Sequence, residues 1–125
     1  MEGDGDLDIC MGELTGQIFC FLNQGTPQMP AYTKNHIAAD NPLTFTLGGM
    51  AHIAFYDIDG DGRIDALITA RNAAHGHRTE IFFFRNSGSA AVPEFALDLN
   101  ANPFVANQLS MGSPLIYIFN IPSAP

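Results

Sequence analysis

The sequence predicts an all-β fold made of repeated antiparallel strands, and three observations carry that expectation. Runs such as His52-Ile53-Ala54-Phe55-Tyr56, Asp65-Ala66-Leu67-Ile68-Thr69-Ala70 and Ile81-Phe82-Phe83-Phe84 are apolar and β-favouring, without a sustained helical period. The segments between them are rich in the Gly, Pro, Asn and Asp that punctuate strands. The same order of signals occurs twice, which marks an internal repeat.

Taken in order, Ile9-Cys10-Met11 reads as a strand, Glu13-Leu14-Thr15-Gly16 as a turn and Gln17-Ile18-Phe19-Cys20-Phe21-Leu22 as the returning strand of a hairpin. Asn23-Gln24-Gly25-Thr26 and Pro27-Gln28-Met29-Pro30 then connect to a short strand at Ala31-Tyr32-Thr33. Asn41-Pro42-Leu43 leads through Gly48-Gly49 into the strand at 52–56. In the second half, residues 80–89 answer residues 17–26, and Pro93-Glu94-Phe95 answers Pro30-Ala31-Tyr32. The spacing from acidic loop to Asn lengthens by an insertion within residues 71–79, and hairpin tips accept insertions at little cost. A third copy opens with Asn102-Pro103-Phe104 and the apolar run 113–121. The repeat divides the chain into residues 1–57 and residues 58–125.

The most informative stretch joins two of these strands. Asp57-Ile58-Asp59-Gly60-Asp61-Gly62-Arg63-Ile64-Asp65 sets acidic side chains at nearly every second position around two glycines. Calcium takes about six to eight oxygen ligands, and a short loop supplies them only if carboxylates recur while the backbone turns sharply. Gly60 and Gly62 permit that turn. The expected ligands are the side chains of Asp57, Asp59, Asp61 and Asp65 and the carbonyl of Arg63, with the Arg63 side chain facing solvent. Hard oxygen donors favour calcium over zinc. The start of the loop matches an EF-hand, but the bidentate Glu required at the twelfth position is replaced by Ile68, and the flanks are strands. Residues 1–8 repeat the loop, with Glu2, Asp4 and Asp8 at the places of Asp59, Asp61 and Asp65. Glu2, Asp4, Asp6, Asp8 and Asn120 form a second candidate metal loop, in which Asn120-Ile121 takes the place of Asp57-Ile58.

Composition narrows the partners. The net charge is −8, yet eight of the thirteen acids lie in these two clusters, so the acidity is local. Lys34, Arg63, Arg71, Arg78 and Arg85 form no patch, which argues against nucleic acid. No apolar run approaches the roughly 20 residues of a membrane span, and the acidic first residues do not read as a signal peptide. Cys10 and Cys20 fall on neighbouring strands, where buried free thiols are favoured over the cross-strand disulfide that the spacing also permits. His75-Gly76-His77 reads as a solvated hairpin tip rather than a transition-metal site. Phe82, Phe83 and Phe84 read as packing rather than as a sugar-stacking platform. The aspartates are taken by the metal, which leaves no carboxylate pair for acid/base chemistry, and no nucleophile motif is present. The chain is therefore not expected to be an enzyme.

The order Asn-Pro-Leu/Phe, Gly-led strand, Asp-x-Asp-Gly-Asp-Gly-x-x-Asp, apolar strand, hairpin, Asn-x-Gly-Thr/Ser and Pro-x-Phe/Tyr resembles the FG-GAP/VCBS repeat of integrin-like β-propellers. The resemblance implies that each repeat is one four-stranded propeller blade with calcium between its first two strands, placed outside the cell or on its surface. It implies a module for binding or adhesion of a protein or carbohydrate ligand, or for scaffolding, calcium being structural. The second reading is a non-catalytic part of a larger secreted carbohydrate-active enzyme. Propellers usually carry about four to eight blades, and this chain has about two repeats. A head-to-tail homo-oligomer, in which Asn120 of one copy completes the loop of Glu2 to Asp8 in the next, would close a ring; a fragment of a longer propeller explains the same ends.

Overall fold

The computed structural model describes residues 5–35, 43 and 47–100. They form two antiparallel sheets and almost no helix. The first sheet has the order β1-β2-β3, with β1 at Ile9–Gly12, β2 at Ile18–Asn23 and β3 at Tyr32–Asn35. The second has the order β4-β5-β6-β7, with β4 at His52–Tyr56, β5 at Asp65–Asn72, β6 at Arg78–Asn86 and β7 at Phe95–Leu97. Within each sheet the strands pair with their neighbours in sequence, a meander consistent with a propeller blade. The expected strands among the described residues are present, and the one expected to begin at Ala31-Tyr32-Thr33 is β3. The blade and the sequence repeat are offset by one strand: β4 lies within residues 1–57, yet pairs with β5. The opening strand of the third copy lies outside the described residues.

β5 is the centre of the second sheet because it can be buried on both faces. From Asp65 to Ala70 every residue is buried. Alternation along the strand points Ala66, Ile68 and Ala70 to one face, where they join Phe84 from β6 and Ile18 and Cys20 from β2 in a single cluster. The core therefore lies between the two sheets. Leu67 and Thr69 take the opposite face, with Phe83 directly across from Leu67. Phe83 and Phe84 are buried on opposite faces, and Phe82 packs against the cluster. Alternation alone predicts that Phe83 or its neighbours pack; here Phe83 and Phe84 are buried and Phe82 is partly so, because both faces of the sheet are covered. The segment 47–51 laces the sheets together. Ala51 N donates to Glu13 O (3.0 Å), Met50 N to Leu14 O (2.9 Å), and Arg71 N to Gly49 O (2.8 Å).

Two sequence expectations are corrected. Cys10 and Cys20 are not free thiols but a disulfide. They stand directly opposite each other across β1 and β2, 4.1 Å apart at Cα, so each thiol faces the other. The insertion at 71–79 is also only partly a turn. β5 and β6 stay paired out to Asn72 and Arg78, and a 3-10 turn at Ala73–His75 closes the lengthened hairpin. There Nδ1 of His75 lies 2.5 Å from Oε1 of Glu80, and Asn72 Nδ2 donates to Oε2 of Glu80 at 2.7 Å. His75 is thus tied to its own hairpin.

The internal repeat holds at the level of single hydrogen bonds. Oδ1 of buried Asn23 accepts from Gly25 N (3.0 Å) and Ala31 N (2.9 Å). Oδ1 of buried Asn86 accepts from Gly88 N (3.0 Å) and Glu94 N (3.0 Å). The glycine that follows each Asn is fixed by close approach: a Cβ would stand 2.3 Å from Met29 O at Gly25, and 2.3 Å from Val92 O at Gly88.

Candidate metal centre

Tyr56 and Asp65 are the last cross-strand pair of β4 and β5, so residues 57–64 form a loop held at both ends by the sheet. Asp57 folds it. Its Oδ1 accepts from Gly60 N (2.8 Å) and Asp61 N (3.0 Å), and its Oδ2 accepts from Gly62 N (2.9 Å). Oδ1 of Asp59 accepts from Asp61 N (3.2 Å), and Oδ1 of Asp61 from Arg63 N (2.9 Å). Gly60 and Gly62 have φ of +76° and +85°, and a Cβ at either would meet nothing within 4 Å. Glycine is needed here for the dihedral and not for space.

This folding brings one carboxylate oxygen each from Asp57, Asp59 and Asp61 within 4.8 Å of one another. The donor set is all hard oxygen, in a loop exposed enough to admit an ion, which fits calcium. An ionised carboxylate has about four acceptor sites; Asp57 uses three of its own inside the loop. Asp65 stands outside this group of three. It is fully buried, its Oδ2 accepting from Ile58 N (3.0 Å) and its Oδ1 from Asn86 N (3.0 Å). It thereby ties the first turn of the loop to the end of β6.

Two cations close on the loop from outside. The Arg63 side chain, expected from the sequence to face solvent, remains partly exposed but also turns back: its Nε donates to Asn86 O at 2.9 Å and its Nη2 donates to Asp61. Arg85 bridges two carboxylates, its Nη1 lying 3.3 Å from Oδ2 of Asp59 and its Nε 3.3 Å from Oδ2 of Asp98. Sequence reasoning missed Arg85 and Asp98. The signal for Arg85 is its place beside Asn86, which repeats Asn23.

Of the second candidate loop, Asp6 and Asp8 are described, and Glu2, Asp4 and Asn120 lie outside the described residues. Asp8 repeats the role of Asp65, its Oδ1 accepting from Asn23 N at 3.0 Å. Gly5, at the place of Gly62, has φ +93°. The described part of the first loop thus shares with the complete one a glycine of positive φ and an Asp-to-Asn tie.

Among the described residues, no helix is long and apolar enough to cross a membrane. A family model described as an FG-GAP-like repeat matches residues 1–68, which take in β1 to β4, the complete acidic loop and the first residues of β5. No curated protein and no solved structure matches the chain.

Proposed function

Because the chain belongs to the FG-GAP-like repeat family, we propose that it is a calcium-binding module of a β-propeller that serves binding or adhesion, with calcium structural. The observation that carries this reading is the convergence of Asp57, Asp59 and Asp61 in a loop fixed between two paired strands. Asp57, Asp59, Asp61 and the Arg63 carbonyl would hold the ion, with Asp65 bracing the loop from beneath. The ion supplies positive charge that offsets the mutual repulsion of the carboxylates. The partner is a protein or carbohydrate reached by the surface loops, since the aromatic run at 82–84 is committed to packing. The Cys10–Cys20 disulfide favours an oxidising, extracellular setting.

Calorimetric titration with calcium tests the reading. Calcium at one hundredfold its Kd stabilises a folded chain by about 2.7 kcal/mol, which for a domain of this size raises Tm by about 10 °C. Asp59→Ala with Asp61→Ala removes that rise. No heat of binding at millimolar calcium would sink the proposal. The same reading assigns the chain no catalysis, because its clustered carboxylates are engaged within the loop and by arginine. A hydrolase screen is expected to show no turnover; activity abolished by one substitution outside residues 57–65 would refute that assignment.

A further inference from the structure

We propose that Arg85 sets the calcium affinity of the loop by competing for Asp59, and that Asp98 sets how strongly it competes. This rests on the calcium reading of the loop. The guanidinium of Arg85 is shared between Oδ2 of Asp59 and Oδ2 of Asp98, at 3.3 Å each. It is a cation standing against one of the three carboxylates that converge on the site, and a divalent ion drawn to Asp59 meets it at short range. Arg85 therefore opposes the ion twice: it must give up Asp59, and its charge remains nearby as a repulsive neighbour.

Asp98 makes this exchange inexpensive. Its backbone is fixed to the sheet, Asp98 N donating to Phe83 O at 2.9 Å, so its carboxylate stands ready beside β6. When Asp59 turns to an ion, Arg85 retains a partner and is not left uncompensated. Arg85 is thus poised between a metal ligand and a fixed counter-carboxylate. The arrangement is particular to the complete loop. In the first repeat Leu22 holds the place of Arg85 and precedes Asn23 as Arg85 precedes Asn86, and Asp6 holds the place of Arg63. Arg63 donates to Asp61 in the same way, but its carbonyl is a candidate ligand, so Arg85 is the position where competition can be tested without disturbing the ligand set.

The test is calcium titration by calorimetry on the whole chain, with unaltered protein, Arg85→Gln, Asp98→Asn and the double variant, circular dichroism serving as the control for folding. Arg85→Gln is expected to tighten calcium binding about fivefold, the scale of a partly exposed ion pair. Asp98→Asn is expected to weaken it, because Arg85 then commits to Asp59. The double variant should behave as Arg85→Gln alone, which separates this mechanism from a general loss of negative charge. The gain from Arg85→Gln should also shrink between about 0.05 and about 0.5 M KCl as screening sets in. Binding by Arg85→Gln that is unchanged or weaker than in the unaltered protein overturns the inference and leaves the calcium reading intact. If neither protein takes up calcium, the calcium reading fails and the inference falls with it.

Discussion

Replacing Asp65 with alanine is expected to lower the melting temperature by about 15 °C in calcium-free buffer. The size of the effect follows from what the carboxylate holds. Asp65 is completely buried and accepts from the backbone N–H of Ile58 and of Asn86, both at 3.0 Å. Hydrogen bonds to a charged acceptor contribute about 1.5–3 kcal/mol each, and their loss leaves donors unsatisfied, for a total of about 3–5 kcal/mol. At about 4 °C per kcal/mol for a chain of this length, the fall is far outside error. Asp59→Ala, in the same loop but exposed, should change calcium-free stability by no more than about 1 kcal/mol. Thermal melts in a chelator make the comparison. A melting temperature for Asp65→Ala within a few degrees of the unaltered protein would show that the buried ties are not holding the loop.

Asp65 also shows where a sequence is legible and where it is not. Its place at the end of the acidic pattern, and the recurrence of that place at Asp8, can be read from spacing. So can the strand that follows, because Ala66 to Ala70 is a short, β-favouring apolar run without a helical period. What spacing cannot reveal is which groups a side chain meets across the sheet. Asp65 and Asn86 are brought together by the register of β5 with β6, which pairs Ala66 with Phe84, and that register depends on how many residues the hairpin tip absorbs. Arg85 and Asp98 were missed for the same reason: the approach of Arg85 to Asp59, and of Asp98 to Arg85, exists only once the strands are aligned. The Arg63 side chain is expected from the sequence to face solvent, yet its Nε finds a carbonyl of β6 that lies far away in sequence. The disulfide is a further case. The hairpin of β1 and β2 was predicted, but only the observed register, with Gly12 opposite Ile18, sets Cys10 against Cys20. One residue of slip would have turned the two sulfurs to opposite faces.

The recurring asparagines allow the equivalence of the two blades to be measured. Asn23→Ala and Asn86→Ala are each expected to destabilise the chain by about 2–3 kcal/mol, because each removes one side-chain oxygen that serves two backbone donors. Their distances agree to within 0.1 Å between the blades, at 3.0 and 2.9 Å for Asn23 and 3.0 and 3.0 Å for Asn86. Both side chains are almost fully buried, at 2% and 1% exposure, so neither pair of donors is readily recovered by water. Chemical denaturation of the two single variants and the double should therefore give two nearly equal losses that add, since the asparagines belong to different sheets and share no partner. Asp65→Ala combined with Asn86→Ala should not add. Asp65 holds the Asn86 backbone N–H while the Asn86 side chain holds the turn that follows, so once residue 86 is loosened by the first change, the second has less left to remove. Additive losses for that second pair, or losses for Asn23 and Asn86 that differ by more than about 2 kcal/mol, would mean that the two blades are alike in outline but not in the interactions that hold them.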